Sequence, residues 1–251
     1  MDDVLLITGS SGIAEATALL AGSEGYRVFI AGLDESQCRD LNARIAESGY
    51  FVGDLREPST AEGAFSACLK KFGRVDAVFN VAGASGRQFG DGPVHECSLE
   101  GWDKTLEVNA RPTFLMCREA VRHWLEAGRG GAILNMASVL AFSPEPANFS
   151  ALAYAASKGA IISMSQAMAA RYAADGIRVN VIAPSLVRTP MSVRAQADQE
   201  IVEFIRRKQP LSGGILEAAD VAQTALFLLS GRSRHVTGQV VAVDGGWSVT
   251  G

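Results

Sequence analysis

The sequence predicts an α/β fold: a doubly wound parallel sheet of about seven strands, flanked by helices, in one domain over residues 1–251. Two observations predict it. Short apolar segments alternate with helical patterns along the chain, as in βαβ units joined by right-handed crossovers. The 251 residues, 48% hydrophobic and 20% charged, suffice for one core of this kind. Ligands of such sheets bind at the carboxyl ends of the strands, so we expect the functional residues in the loops that follow.

Each predicted strand is a short, mostly apolar run that ends at a turn-forming or polar residue. In chain order the strands are Val4–Ile7, Arg27–Ala31, Val75–Val81, Ala132–Met136, Arg178–Ile182 and Gln239–Val243. The intervening helices show helical spacing of apolar residues, and glycines follow several of them, as is usual at helix ends. These helices are Ala14–Ala21, Glu35–Glu47, Trp102–Trp124, Tyr154–Ala174 and Ala218–Leu229.

The composition excludes several classes of function. The net charge is −4 and no basic stripe occurs, so we expect no nucleic-acid partner. The four cysteines and three histidines form neither a CxxC nor an HxxxH pattern, so no metal site is predicted. The chain begins Met1-Asp2-Asp3, unlike a signal peptide, and has no apolar run of bilayer length. We therefore expect a cytoplasmic protein with no membrane contact.

A glycine-containing loop follows the first strand and leads into the first helix. It reads Thr8-Gly9-Ser10-Ser11-Gly12-Ile13-Ala14. Glycines at such a place let the backbone approach a pyrophosphate, and the helix N-terminus offers unpaired N–H groups to it. The loop alone is also compatible with a plain glycine turn.

Tyr154 and Lys158 are four residues apart on a predicted helix, so their side chains share one face. To act as a base near neutral pH, a tyrosine needs a pKa well below its usual value of about 10. A nearby ammonium group favours the phenolate and lowers that pKa. As an isolated pair, the two residues are also compatible with a surface position in which the lysine extends to solvent.

Taken with further motifs, this pair resembles the short-chain dehydrogenase/reductase family. The family's TGxxxGxG loop corresponds to residues 8–14, where the loop is one residue shorter and Ala14 replaces the last glycine. Its NNAG segment resembles residues 80–83, and its serine after a strand resembles Ser138. The family's ending resembles residues 243–247, so the resemblance spans essentially the whole chain.

The resemblance implies a Rossmann-type fold and a nicotinamide-dependent oxidoreductase. It implies a catalytic tetrad in which Ser138 binds the substrate oxygen, Tyr154 is the acid/base, Lys158 stabilises the phenolate and Asn109 holds a water linked to the lysine. It also implies a cofactor site, with the carboxamide of the nicotinamide held after the sixth strand, where Ser185 replaces a glycine. The cofactor-binding residues expected from the loop and the resemblance are Gly9, Ser11, Gly12, Ile13, Asp34, Asp54, Leu55, Asn80, Ala82, Gly83, Tyr154, Lys158, Pro184, Val187 and Thr189.

The end of the second strand bears on the choice between NAD and NADP. By resemblance, Gly32 occupies the usual acidic position and Leu33 the usual arginine position, so neither marker is present. Asp34 is the nearest carboxylate, and with Gln37 it predicts a capping box for the next helix; ribose contact is possible in addition. The absence of a basic residue in this segment favours NAD. Asp54 also has two interpretations: it contacts the adenine ring of the cofactor, or it is a turn-forming residue.

The substrate is predicted less closely than the chemistry. Apolar candidates for the pocket are Phe89, Leu140, Phe142, Phe149, Leu186 and Met191, which favour an apolar alcohol or ketone. Arg87 and Arg194 are compatible with an anion, although a solvated surface position is favoured for each. A 3-oxoacyl thioester reductase is the alternative enzyme. A catalytically silent nucleotide-binding regulator or scaffold is the alternative of another class, supported only by the altered loop and Ser185.

By resemblance we also expect a homo-oligomer, a tetramer or dimer, with Trp102–Trp124 and Tyr154–Ala174 as contact surfaces. The Ser138–Tyr154 spacing is a few residues longer than is usual in the family. The extra loop contains Pro144, Pro146 and Phe149 and is expected to reshape the substrate pocket.

Overall fold

The computed structural model describes residues 3–250; Met1 and Asp2, which bear on the expected absence of a leader, lie outside them, as does Gly251. Its strands are β1 (Val4–Thr8), β2 (Arg27–Gly32), β3 (Ser48–Val52), β4 (Ala77–Asn80), β5 (Gly131–Met136), β6 (Ile177–Pro184), β7 (Val187–Arg188), β8 (Leu216–Glu217) and β9 (Val240–Val243). Seven of them form a parallel sheet in the order β3-β2-β1-β4-β5-β6-β9. From β1 to β3 the strands are added towards one edge of the sheet, and from β4 onwards they are added on the other side of β1. This change of direction places a crevice beyond the carboxyl ends of β1 and β4. The predicted Rossmann-type α/β fold is confirmed.

Helices cover both faces of this sheet. They are α1 (Ile13–Ser23), α2 (Glu35–Asn42), α3 (Pro58–Phe72), α4 (Leu99–Glu126), α5 (Leu152–Tyr172), α6 (Val193–Ala197), α7 (Gln199–Lys208) and α8 (Ala218–Leu229). One face packs against α1, α2 and α8, and the other against α3, α4 and α5. Successive strand side chains point to opposite faces, so Leu5 and Ile7 enter the first layer while Val4 and Leu6 enter the second. All four are fully buried, which explains why β1 is an uninterrupted apolar run.

The second βα unit differs from the sequence prediction. The helix expected over Glu35–Glu47 ends at Asn42, and β3 begins at Ser48. The Ser48 hydroxyl donates hydrogen bonds to the carbonyls of Asn42 and Ile45 and so holds the chain in a turn between the two elements. The sequence identifies six strands of a sheet of about seven, and β3 is the strand of this sheet that it does not identify. Its sequence contains Ser48 and Gly49, which are poor strand formers, and its next residues, Tyr50 and Phe51, are only partly buried against the two opposite core layers.

Helix α3 also has no counterpart in the prediction, although proline at its first turn and Gly73 after its last residue are usual helix boundaries. Of the other predicted helices, Ala218–Leu229 has the predicted bounds, and the remaining three are present with shifted ends. Within residues 3–250, the helices lack the combination of length and hydropathy that spanning a bilayer requires. The same part of the chain contains no group of three or more His, Cys, Asp or Glu side chains arranged to hold a metal ion.

Candidate active site

A cavity lies at the carboxyl ends of the central strands, where the fold places ligand sites. Loops after β1, β4, β5 and β6 line it, and each of these loops carries a motif identified from the sequence. The lining therefore brings together residues far apart in the chain, from Gly9 to Trp247.

The loop after β1 has the geometry of an anion site. Gly9 and Gly12 have φ angles of 95° and 58°, which L side chains rarely adopt. α1 begins at Ile13, and no side chain caps its N-terminus. Its first N–H groups are therefore available to a pyrophosphate, and the helix dipole favours the negative charge. A Cβ on Gly12 would lie 3.0 Å from the Thr189 methyl, so the loop and the β6 side of the cavity meet closely here.

The loop after β4 is tied to the end of β1. The Thr8 hydroxyl accepts hydrogen bonds from the N–H groups of Val81 and Ala82, at 2.9 and 3.1 Å. Ala82 and Gly83 line the cavity, as the resemblance predicts. Asn80 does not: its buried side chain donates to the Asn135 side chain at 2.8 Å. It therefore links β4 to β5, which is the sheet-steadying part of its expected role.

The acidic residues predicted to lie near the adenosine are engaged within the protein. Asp34 caps α2, accepting from the N–H of Gln37 at 3.0 Å and the hydroxyl of Ser36 at 2.6 Å. This confirms one half of the predicted capping box; the Gln37 side chain donates to the Asp34 carboxylate at 3.4 Å, so it does not form the reciprocal half. The Ser36 hydroxyl, followed by the Gln37 N–H, lowers the pKa of this exposed carboxyl. Asp54 forms an ion pair with Arg56, whose hydrogen bonds lower the Asp54 pKa. Both carboxylates therefore bond to groups of their own segments.

Gly32, at the end of β2, and Leu55, after β3, are explained by packing. Leu55 is buried against the α3 layer of the core. A Cβ on Gly32 would lie 2.7 Å from the Cys38 sulfur and 3.3 Å from the Ser10 hydroxyl. The glycine is therefore required by the close approach of α2 and the phosphate loop, and a carboxylate at position 32 would have no room.

Tyr154 and Lys158 both face the cavity from α5, as the spacing predicts. The Lys158 ammonium lies 5.5 Å from the centroid of the Tyr154 ring and donates to the Met136 carbonyl at 3.0 Å. It is 3% exposed, and this burial lowers its pKa to about 8. Burial raises the pKa of Tyr154 to about 12, and a hydrogen bond with Ser138 partly offsets this. The alternative for the isolated pair, a surface position with the lysine extended to solvent, is excluded because Lys158 is buried.

The remaining members of the predicted tetrad surround this pair. Ser138 lines the cavity just beyond β5, and its hydroxyl accepts from the Leu140 N–H at 3.2 Å. Asn109 is fully buried on α4, with its amide donating to the carbonyls of Ala84 and Thr105. Gly83 separates it from Lys158: a Cβ on Gly83 would be 2.5 Å from the Asn109 oxygen and 3.6 Å from the lysine nitrogen. The fold thus brings all four predicted residues to one region.

The segments after β6 and β9 complete the lining. Pro184, Val187 and Thr189 lie on the wall, as predicted. The hydroxyl oxygen of Ser185, also on the wall, is buried and has no hydrogen-bond partner. A group with an unused donor and acceptor suits a polar ligand such as a carboxamide. The glycine-to-serine departure therefore adds a polar group to the site.

The apolar part of the cavity agrees only partly with the prediction. Leu140, Phe149, Leu186 and Met191 line it, whereas Phe89 and Phe142 do not. Phe142 is 47% exposed and borders a separate shallow depression beside α5. Trp247, which the sequence suggests only through the chain's ending, also lines the cavity and packs edge-on against Phe149 with ring centroids 5.7 Å apart. Trp247 follows the turn-forming residues Asp244-Gly245-Gly246, and this local context does not by itself predict a position in the cavity.

A contact that no sequence pattern suggests positions Tyr154. Asp91, in the loop before α4, is buried, and its carboxylate accepts from the N–H groups of Ala153 and Tyr154 at 2.8 and 2.9 Å. No residue of α5's own N-terminus provides a side-chain cap. A remote carboxylate therefore satisfies two free N–H groups and stabilises the helix dipole.

We expect Asp91→Ala to lower the free energy of unfolding by about 2 kcal/mol, because two buried N–H groups lose their acceptor. Asp91→Asn, which keeps one acceptor oxygen, should lose less. Urea denaturation measures both, with Asp40→Ala as the control, because Asp40 is exposed and, among residues 3–250, forms an ion pair with Arg39 alone. Equal midpoints for Asp91→Ala and Asp40→Ala would show that the cap does not stabilise α5.

Comparisons with known proteins agree with this arrangement. A family model described as enoyl-(acyl carrier protein) reductase matches residues 7–248. The chain is 33% identical to D-threitol dehydrogenase of Mycolicibacterium smegmatis, over 98% of this chain and 93% of that protein. A short-chain type dehydrogenase/reductase from Mycobacterium ulcerans superposes with a TM-score of 0.91 at 28% identity, covering 100% of this chain and 91% of that one.

A 3-ketoacyl-(acyl-carrier-protein) reductase from Brucella melitensis, solved with NADH, superposes with a TM-score of 0.87 at 29% identity, covering 98% of each chain. The family match, the curated relative and the two structures all extend over nearly the full length. The chain therefore belongs to the short-chain dehydrogenase/reductase family of oxidoreductases.

Proposed function

We propose that this protein is an NAD-dependent oxidoreductase that interconverts a small alcohol and its carbonyl compound. The observation that carries the proposal is the presence in one cavity of Tyr154, Lys158 and Ser138 together with an uncapped helix N-terminus behind a glycine loop. The first group is suited to proton transfer at an oxygen, and the second to holding a dinucleotide pyrophosphate.

The cradle around the loop fits such a cofactor. The positive φ angles of Gly9 and Gly12 and the free N–H groups of α1 suit the phosphates. Pro184, Thr189 and the unpartnered Ser185 hydroxyl lie on the same cavity wall. When bound, a nicotinamide cofactor supplies the hydride for carbonyl reduction and accepts it in alcohol oxidation.

The protein's own residues then handle the substrate oxygen. The Ser138 hydroxyl donates to that oxygen and stabilises the negative charge that develops during reduction. The Tyr154 hydroxyl gives its proton to the oxygen in reduction and accepts one in oxidation. With a pKa raised to about 12 by burial, the phenol is protonated at neutral pH and ready to act as an acid.

Lys158 and Asn109 support the proton transfer. The Lys158 ammonium is close enough to favour the phenolate that forms when Tyr154 loses its proton. Burial lowers the lysine pKa to about 8, so this group also exchanges protons near neutral pH. We assign Asn109, just beyond Gly83, the water-holding role that the resemblance implies, so that a water there returns the proton from solvent. Its amide hydrogens bond to the Ala84 and Thr105 carbonyls, and its side-chain oxygen, which accepts from the Ala84 N–H, keeps a second lone pair for that water.

The end of β2 supports NAD over NADP. Leu33 is 72% exposed there, and the next residue is the ionised Asp34. The segments Gly9–Ile13 and Gly32–Cys38 contain no lysine or arginine to pair with a 2′-phosphate.

We expect Leu33→Arg to raise kcat/KM for NADPH by about tenfold or more, because a guanidinium forms charge-assisted bonds to phosphate. Steady-state kinetics with both cofactors measure this change. Leu211→Arg, at a position that is 89% exposed and outside the cavity lining, is the matched control. A preference for NADPH in the unmodified protein would contradict the proposed cofactor.

The function is tested by following NADH absorbance with a panel of ketones, alcohols and a 3-oxoacyl thioester. We expect turnover with small ketones or their alcohols that have an apolar body, given Leu140, Phe149 and Met191 on the wall. Similarity to the Brucella melitensis reductase makes the thioester the second candidate. A protein that binds NADH yet consumes none across the panel is the regulator of the alternative interpretation.

A further inference from the structure

The charged groups of the cavity are all cationic. Among residues 3–250, those that line it include Arg87, Lys158 and Arg194 but no aspartate or glutamate. This occurs in a chain whose net charge is −4. Lys158 belongs to the proposed catalytic group, so the two arginines need a separate explanation.

The arginines meet at one point. Arg87, after β4, and Arg194, on α6, both donate to the carbonyl oxygen of Asn148, at 2.9 and 3.1 Å. Within the described part of the chain, neither forms an ion pair with a carboxylate. Burial, and then the nearby Arg194, lowers the pKa of Arg87, while Asp91 opposes this. Two like charges therefore share a neutral carbonyl, and Asp91 is the opposite charge that acts on Arg87 from nearby.

Their shared anchor is held firmly. Glu145 is 8% exposed, and its carboxylate accepts from the N–H groups of Ala147, Asn148 and Phe149 at 3.0, 2.6 and 2.9 Å. These three bonds occupy the Glu145 carboxylate with its own loop. The loop is the long segment between Ser138 and Tyr154, so the anchor belongs to the substrate side of the cavity rather than to the phosphate loop.

Arg87 and Arg194 are both exposed residues, as the sequence suggests, yet both line the cavity and keep N–H donors that the Asn148 carbonyl does not use. Convergent guanidinium groups without a carboxylate partner are suited to an oxyanion, which also relieves their mutual repulsion. We propose that Arg87 and Arg194 form an anion-binding subsite, and that the substrate carries a carboxylate or phosphate group away from its reacting carbon. The substrate part rests on the proposed function, whereas the anion subsite does not.

The test compares matched anionic and neutral compounds. Levulinate is compared with methyl levulinate, and dihydroxyacetone phosphate with dihydroxyacetone, so that the two arms distinguish carboxylate from phosphate. Calorimetry with the NADH-saturated protein measures binding without requiring turnover, and NADH consumption measures kcat and KM. We expect at least one anion to bind about tenfold or more tightly than its neutral partner.

Arg87→Gln and Arg194→Gln should each weaken binding of that anion by about tenfold to a hundredfold, and raise its KM more than they lower its kcat. The neutral compounds should be unaffected. Arg206→Gln, which removes an exposed arginine paired with Glu203 on α7, is the matched control, and Arg87→Lys should recover part of the affinity.

Equal binding of anionic and neutral partners, or loss of anion binding in Arg206→Gln as large as in the two cavity variants, would overturn the subsite even if ketones are reduced. Anion binding that depends on Arg87 and Arg194 without any NADH consumption would support the subsite and reject the oxidoreductase. The two proposals therefore fail on different results.

Discussion

Replacing Tyr154 with phenylalanine is expected to reduce kcat by about 10³-fold while leaving NADH affinity within about twofold of the unmodified protein. The substitution removes only the hydroxyl that transfers the proton and keeps the ring that packs in the cavity. The lysine beside it stays in place, because its hydrogen bond goes to the Met136 carbonyl rather than to the phenol. Steady-state kinetics and NADH fluorescence titration measure the two quantities.

Tyr172→Phe is the matched control, since Tyr172 lies on the same helix, outside the cavity lining. It should keep full activity. Because the Tyr154 pKa is raised to about 12, the phenol stays protonated at neutral pH and the phenolate fraction increases only at alkaline pH. Alcohol oxidation, which needs the phenolate as the base, should therefore accelerate towards alkaline pH. Near-normal turnover of Tyr154→Phe with a substrate of the unmodified protein would show that another group transfers the proton.

Replacing Lys158 with methionine is expected to abolish activity and to stabilise the cofactor-free protein. Burial lowers the pKa of Lys158 to about 8 in the folded state, against an ordinary value of 10.5. At pH 7 the folded protein therefore bears the cost of a buried ammonium, about 3 kcal/mol. Methionine removes that cost and loses one hydrogen bond worth about 1 kcal/mol, so we expect a net gain of about 2 kcal/mol.

The pH dependence of this gain has a definite sign. Between pH 8 and 10.5 the unfolded chain binds more protons at this lysine than the folded protein does, so the unmodified protein gains stability as pH rises. The advantage of Lys158→Met should therefore be complete below pH 8 and disappear by about pH 10.5. Urea denaturation across this range measures it, with the exposed Lys70→Met as the control. Destabilisation at pH 7 would mean that the ammonium is compensated within the fold.

The central strands and the place of the cavity could be predicted from the sequence, whereas the order of the strands in the sheet comes from the structure. Buried parallel strands are apolar on both faces, and runs such as Val4–Ile7 show this directly. β3 could not be identified in the same way, because this edge strand begins Ser48-Gly49 and becomes less buried along its length, so it lacks a continuous apolar run. For the same reason, the sequence predicts that the preceding helix continues to Glu47, whereas it ends at Asn42.

Within the site, the residues predictable from sequence were those with a local spacing or a family motif, such as Tyr154 and Lys158. Contacts made across the fold were not. Asp91 caps a helix more than 60 residues away, and the convergence of Arg87 and Arg194 depends on a third loop, at Asn148. Loop geometry of this kind follows from tertiary packing, which no spacing of residue types reports.

The origin of the hydrogen that reaches the substrate carbon tests the central claim most directly. A ketone or oxoacid identified in the panel is incubated with the protein and with NADH stereospecifically deuterated at C4, separately for each face, and the product is analysed by mass spectrometry. We predict that one of the two labelled cofactors transfers a single deuterium to the carbinol carbon, and that Tyr154→Phe slows this transfer. Product formed without deuterium from either cofactor, or cofactor bound but never oxidised, would contradict the account.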